Sequence, residues 1–445
     1  MSADPRSNRG LLRSGTLTLA SRLVVFLLSL VAGIILARTL GPGGRGQYAL
    51  ALLGPSLIVL VANLGVSNAL TYHLARRTFQ VDQLIGQVIP LALILGGIAT
   101  AVFIVVIALF GRGLLPGVPL NLVFIAAASV PLALFFYFSL SFSQGLEKFA
   151  AFNSLYMVNA AALVVFLVPL FVLRGNVTVA VAAWSLSWIP TAGLGLLFLA
   201  RWGRLNFGLD PAVSRTLLRF GIVGYASFLT TFLNFRLDTF LVNLFANASQ
   251  VGFYAVAVSL AETIWYISTS ATTVLTPRVA AGESTESDAT TGLVSRAVVG
   301  MSFIAAIVLA LVAPLLVQVL FGTAFQPSVV AVWLLLPGIV ALSNARVLAG
   351  YLLGRNRQQV DLAASLAGLV VTVALDLLLI PRYGFAGAAI ASSIAYATTL
   401  AVDLAWVVRH STLTVKDLLL PTPADVRVTV RRAKGVLVEL RQGRW

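Results

Sequence analysis

Apolar runs of about twenty residues recur along almost the whole chain, and they decide what it can fold into. Inside a bilayer each backbone N–H and C=O needs a partner within the protein, so runs of this length are membrane-crossing helices. Twelve are expected, over 11–37, 48–72, 84–110, 121–143, 150–173, 177–200, 219–245, 252–276, 297–320, 327–353, 360–380 and 387–408. Composition agrees. Of 445 residues, 59% are hydrophobic and 10% charged, whereas soluble domains run at about 45–50% and about 25%. The first run, beginning near Leu11, is too long for a cleaved signal segment and reads as the first span.

Basic residues orient these spans. Roughly 22 of the 30 Lys and Arg fall in the termini and in loops on one side, among them Arg76, Arg77, Lys148, Arg201, Arg204, Arg278, Arg355 and Arg357. Arg38, Arg45, Arg112, Arg174 and Arg382 fall on the other. The positive-inside rule then places both termini in the cytoplasm. The net charge of +15 is accounted for by these loops, and without aromatic-interleaved basic patches it does not point to nucleic acid.

One run breaks the apolar pattern in a way that demands explanation. Between Gly221 and Ala246 stand Arg236 and Asp238, two positions apart and opposite in sign. A charge near the bilayer centre costs roughly 2.5–3.5 kcal/mol on insertion scales. On a helix the two side chains leave about 200° apart, so they cannot share one face and neutralise each other. At least one must face a polar interior or a partner on another helix. Arg22 in the first span, Glu262 in the eighth and Arg346 in the tenth complete the intramembrane charge. Arg346 lies about two turns from a helix end, within snorkelling reach. Arg236 and Glu262 are spaced to serve either as an interhelical pair or as cavity groups. Asp376 and Asp403 lie close to span ends and are expected at the interface. Arginine in a cavity suits an anion, since a guanidinium grips phosphate bidentately and stays charged. Asp238 and Glu262 suit a cation or proton that drives transport.

The chain repeats itself. Gly46-Gln-Tyr48-Ala49-Leu-Ala51 and Gly252-Phe-Tyr254-Ala255-Val-Ala257 share the pattern G-x-Y-A-x-A about 206 positions apart, each at the opening of a span. Two six-helix halves in parallel follow, 1–218 and 219–410, divided at the basic loop Arg201–Arg219. Residues 411–445 form a basic tail. In it Val426, Val430, Ala433, Leu437 and Leu440 follow helical spacing and suggest an interfacial amphipathic helix.

No catalytic constellation is present. There is no G-x-x-x-x-G-K-[ST], H-E-x-x-H or G-x-S-x-G pattern, no cysteine, and His73 and His410 are the sole histidines. Neither an enzyme nor a metal centre is expected. The cluster Gly41-Pro42-Gly43-Gly44-Arg45-Gly46 reads as a tight turn between two spans rather than a phosphate cradle.

Three stretches resemble the polysaccharide-biosynthesis and lipid-linked oligosaccharide flippases, a branch of the multidrug/oligosaccharidyl-lipid/polysaccharide exporter superfamily. They are the run from Ile35 to Ala49, Arg236-Leu-Asp238 leading to Val251-Gly252-Phe-Tyr254-Ala255, and Leu379-Ile380-Pro381-Arg-Tyr383-Gly384-Phe-Ala-Gly387-Ala388-Ala389. Asp376 stands where such proteins often have Asn. The resemblance implies two pseudo-symmetric six-helix bundles in the bacterial cytoplasmic membrane. It also implies alternating access that carries undecaprenyl-diphosphate-linked oligosaccharide outward. A cationic cavity would accept the head group, with Arg22 and Arg236 as its cations and Asp238 and Glu262 shaping it; Arg346, read from its place in the tenth span, is a further cavity candidate. No cofactor is implied beyond a coupling ion, H+ or Na+. The partners implied are the lipid-linked substrate, the bilayer, and polysaccharide polymerase and glycosyltransferases. A cation-coupled multidrug exporter of the same superfamily and a peptidoglycan-precursor (lipid II) flippase are the alternatives.

Overall fold

The computed structural model describes residues 5–172, 175–205, 207–282 and 284–420, and for 5–20, 112, most of 222–232, 274, 277, 281, 284 and 285 the backbone alone. The described residues are helical almost throughout, and none of them is in a strand. The helices are α1 (Pro5–Asn63), α2 (Val66–Arg76), α3 (Val81–Leu114), α4 (Leu120–Ala127), α5 (Val130–Gly145), α6 (Phe149–Val172) and α7 (Val177–Trp202). They continue with α8 (Pro211–Phe245), α9 (Ala248–Ala261), α10 (Trp265–Ala281), α11 (Ser284–Leu316), α12 (Ser328–Gly354), α13 (Gln358–Tyr383), α14 (Phe385–His410) and a short α15 (Val415–Leu419). The amphipathic pattern expected over 426–440 lies outside the described residues.

Among the described residues, 10 helical stretches are long and apolar enough to cross a membrane. The first, Ser21–Asn63, has 43 residues. At 1.5 Å per residue that is about 64 Å, twice a hydrocarbon core of about 30 Å. It is two crossings, divided at Gly41, whose φ of 65° and ψ of −179° interrupt the helix. That region is open to glycine alone. With this division the ten stretches make eleven crossings among the described residues, and α8, at 35 residues, is long enough for a twelfth. Large apolar side chains such as Leu109, Leu311 and Val370 are exposed on the outside of the helices, as a lipid-facing surface requires.

The glycine-rich turn expected over Gly41–Gly46 is shorter than its sequence suggests. One residue makes the turn, and Pro42 onward is already helix. The remaining glycines serve close packing instead. A Cβ on Gly46 would collide with the carbonyl oxygen of Ala248, and a Cβ on Gly252 with the carbonyl oxygen of Pro42. Each glycine of the repeated G-x-Y-A-x-A motif thus meets the backbone four residues before the other. Small residues let membrane helices approach to backbone contact, and here the repeat supplies both of them.

The chain forms two compact units. The first comprises the described residues up to Phe232 with Asn247–Gly252, and the second Leu233–Ala246 with the described residues from Phe253 onward. The core of the first unit includes Leu70, Leu84, Ile85, Leu134, Phe138 and Phe142. In the second, Leu275, Val279, Val298, Leu348 and Tyr351 form the core at one end of the bundle. The segment after His410 is tied there by polar contacts. Asp288 of α11 accepts from the Thr412 backbone N–H at 3.0 Å and from the Tyr351 hydroxyl at 2.7 Å. Ser295 Oγ donates to the Leu418 carbonyl at 2.7 Å. Thr414 caps α15, and its side-chain and backbone donors hold the Asp417 carboxyl below the usual carboxylate range.

Because the crossing at Gly46 and Gly252 has no room for a methyl group, Gly46→Ala or Gly252→Ala should sharply lower the yield of monodisperse protein and its thermal midpoint. Gly97→Ala, where a Cβ meets nothing within 4 Å, should leave both unchanged. Scanning fluorimetry of the detergent-purified variants measures this.

Candidate functional site

Arg236 and Asp238 leave α8 on opposite sides, as their spacing dictates. Asp238 is 1% exposed, while Arg236 is exposed. Asn234, one turn before Asp238, is buried with it, so positions 234 and 238 mark the face that α8 packs into the second unit.

The buried carboxylate is well supplied with donors. Its Oδ2 accepts from the Tyr254 hydroxyl of α9 and, at 3.2 Å, from Ser392 Oγ of α14. Its Oδ1 accepts from the Thr239 backbone N–H at 2.5 Å and from Thr239 Oγ1 at 3.2 Å. Tyr254 and Ser392 also contact each other at 3.1 Å. Hydrogen bonds to a charged acceptor contribute about 1.5–3 kcal/mol each, and together they offset part of the burial cost that made this residue anomalous. Alongside, Thr372 Oγ1 of α13 donates to Asn234 Oδ1 at 2.9 Å.

One turn beyond Thr372 stands Asp376, 0% exposed, within electrostatic reach of Asp238 and with no donor on either carboxylate oxygen among the described residues. Asp403 of α14 is likewise 0% exposed and without donors. Both acids, expected near the interface from their place close to span ends, are thus buried within the protein. The two helices are longer than their hydropathy suggests and are joined by Gly384 alone, at φ 57° and ψ −135°. Among the described residues they are extensively packed on each other. Gly368, Ala388, Ala391 and Ala395 bring them close, so acids near their ends are covered by the partner helix.

On the other side of this region, Arg346 of α12 lays its guanidinium over the Trp265 ring at 4.1 Å and within 5.9 Å of Phe235. Phe235, Trp265 and Tyr396 form one aromatic cluster, with centroids 5.3 to 6.0 Å apart. Arg346 is half-buried over these rings rather than snorkelling to the helix end. Glu262 opens the 3-10 turn Glu262–Ile264 that separates α9 from α10, an irregularity of the kind that marks functional hinges. The charges of Arg236 and Arg346 both reach it. Among the described residues no carboxylate comes within 4.0 Å of either guanidinium, so of the two readings open for Arg236 and Glu262 the closed interhelical ion pair is not the one seen. Both cations are left able to take an anion.

The structure thus brings Arg236, Asp238, Glu262 and Arg346 together within the second unit. Arg22 belongs to the first unit, exposed on α1, where its charge reaches Tyr156 of α6. Among the described residues no group of three His, Asp or Glu side chains is arranged to hold a metal ion. Sequence reasoning missed Asn234, Tyr254, Thr372, Ser392, Trp265 and Tyr396. The i, i+4 pairs Asn234/Asp238 and Thr372/Asp376 were a usable signal, since each puts two polar groups on one face of an apolar helix.

Tyr254→Phe removes the strongest-placed donor from Asp238 and should destabilise the protein by about 1–3 kcal/mol. Asp238→Asn in the same background should restore much of the loss, because the neutral amide needs fewer donors. Thermal unfolding of the single and double variants in detergent gives the coupling.

A profile of the family described as polysaccharide biosynthesis protein matches residues 11–283. No curated protein sequence matches. Among solved structures, the chain resembles the inward closed conformation of the lipid II flippase MurJ, at 12% identity and TM-score 0.78, over 91% of this chain and 89% of that one. It resembles an inward-facing multidrug resistance MATE family transporter of the MOP superfamily at 17% identity and TM-score 0.71, over 86% and 93%. A MOP superfamily transporter from Pyrococcus furiosus, described as having a binding pocket of reversed polarity, aligns at 15% identity and TM-score 0.62, over 89% and 94%. At these identities the likeness establishes the fold, and the proteins that share it are transporters and flippases rather than enzymes. The chain is a multi-pass membrane protein with the MOP-transporter fold, and it belongs to the polysaccharide biosynthesis protein family.

Proposed function

We propose that this protein flips an undecaprenyl-diphosphate-linked oligosaccharide across the bacterial cytoplasmic membrane by alternating access, with both termini in the cytoplasm. Membership of the polysaccharide biosynthesis family supports the class of cargo. The observation that carries the reading is the pair Arg236 and Arg346, two guanidiniums at membrane depth without a carboxylate within 4.0 Å among the described residues. A cationic drug would be repelled there, whereas a diphosphate offers each arginine a bidentate acceptor. Glu262 keeps the local charge from growing too large for release. Arg22, in the first unit, is a separate candidate cation for the head group. Substrate would be delivered by glycosyltransferases and used by a polysaccharide polymerase.

The buried acids supply the drive. Asp238 has its donors and Asp376 has none, so the pair has room for one positive charge. A coupling cation, H+ or Na+, bound there would neutralise Asp376 and tie α8 to α13.

Flipping of lipid-linked oligosaccharide in proteoliposomes tests the reading. Arg236→Ala and Arg346→Ala should each lower transport at limiting substrate by about tenfold to a hundredfold, the loss of one charge-assisted contact of about 1.5–3 kcal/mol. Arg22→Ala should act in the same direction. Wild-type rates in the Arg236/Arg346 double variant would remove the arginines from the mechanism.

A further inference from the structure

Asp403 is a buried acid that the proposed transport cycle does not use. It lies on α14 with 0% exposure, and neither carboxylate oxygen meets a donor among the described residues. From the helices packed on α14, the titratable group whose charge reaches it is Asp361, half-buried in the first turn of α13. An ionised carboxylate without donors costs several kcal/mol to bury, and a second carboxylate beside it raises that cost. Something positive must therefore accompany Asp403. It has no basic side chain within 4.0 Å among the described residues. A hard metal cation takes about six oxygen ligands, and among the described residues no group of three His, Asp or Glu side chains is arranged to hold one. A proton needs one oxygen.

We infer that Asp361 and Asp403 form a proton-binding site at the end of the α13–α14 seam where α13 begins and α14 ends. Asp403 takes the proton on one carboxylate oxygen from water at that end of the bundle, which the distribution of basic residues assigns to the cytoplasm. Asp361, being partly exposed, is the carboxylate that water reaches. No other bond changes.

The seam itself makes the site more than an isolated acid. On α13, Asp361, Ser365, Gly368, Thr372 and Asp376 recur at helical spacing along about 22 Å. A Cβ on Gly368 would run into Thr399 Oγ1 of α14 and come within 3.4 Å of Asn234 Nδ2 of α8. Thr372 in turn donates to Asn234 Oδ1. Polar groups therefore line the seam from Asp361 and Asp403 to Asp376 and Asp238, with Gly368 leaving the space where Thr399 and Asn234 come together. The proton site stands on this geometry alone. Its role in driving transport rests on the proposed function.

Dicyclohexylcarbodiimide, an apolar reagent that adds to protonated carboxyls inside membrane segments, reads the site without any transport substrate. Purified protein is treated at near-neutral pH, and the adduct is mapped by peptide mass spectrometry. The expected result is an adduct on Asp403 in wild type, retained in Asp361→Asn, lost in Asp403→Asn, and insensitive to excess sodium chloride. Partly exposed Asp417, held ionised by its Thr414 donors, should stay unmodified. An unmodified Asp403 in wild type, an adduct that falls on Asp361 instead, or protection of Asp403 by sodium would each overturn the inference. The decisive arm uses wild type, so a variant that fails to fold does not rescue the idea. A protein that labels at Asp403 but does not flip oligosaccharide would count against the proposed function and not against the proton site.

Discussion

A carboxylate buried in an apolar bundle is the constraint around which the second unit is arranged. Asp238 cannot be left in that environment without donors, and the donors it has come from three different helices. Tyr254 of α9 and Ser392 of α14 are drawn to one oxygen, and the turn at Thr239 serves the other. One acid therefore fixes the relative placement of α8, α9 and α14. The same geometry sends Arg236 the opposite way, since two positions on a helix turn the side chain through about 200°. The energetic problem of the sequence has two separate answers: the acid is satisfied inside the unit, and the base is left exposed.

The repeated G-x-Y-A-x-A motif is a second constraint, and it acts through what it lacks. Gly46 and Gly252 have no side chain, and each sits where the backbone of the other copy passes. The tyrosines two positions on are both buried, but they have diverged. Tyr48 lies beneath the Arg45 guanidinium at 5.4 Å, whereas Tyr254 donates to Asp238. The first copy has Ala32 where the second has Asp238. Equivalent positions thus keep their packing while the second unit alone acquires the buried acid.

Much of this was legible in the sequence because hydropathy and helical geometry are local. The twelve spans, the turn near Gly41 and the divergent directions of Arg236 and Asp238 follow from composition and a period of 3.6 residues. The partners of Asp238 did not follow, because Ser392 lies 154 residues away and only packing brings it close. The burial of Asp376 and Asp403 was not legible for a related reason. Distance from a span end says where an acid sits along its helix, but not whether a neighbour covers it. Here the small residues of α13 and α14 let one helix cover the other. Gly46 read as part of a loop because its use, close approach to the backbone of Ala248 and Gly252, is invisible to a local pattern.

The candidate site carries charge of both signs with separate tasks. Arg236 and Arg346 are cations at membrane depth beside an aromatic cluster, while Asp238 and Asp376 are acids packed within the same unit. An exporter of cationic drugs and a carrier of anionic lipid heads would both use such a fold, but they need opposite charges where the cargo docks. The most direct measurement is ligand-dependent thermal stabilisation of the purified wild-type protein, comparing an undecaprenyl-diphosphate-linked saccharide with a lipophilic cation. The account predicts stabilisation by the diphosphate lipid that fades in Arg236→Ala and Arg346→Ala. Stabilisation by the cation alone would contradict it.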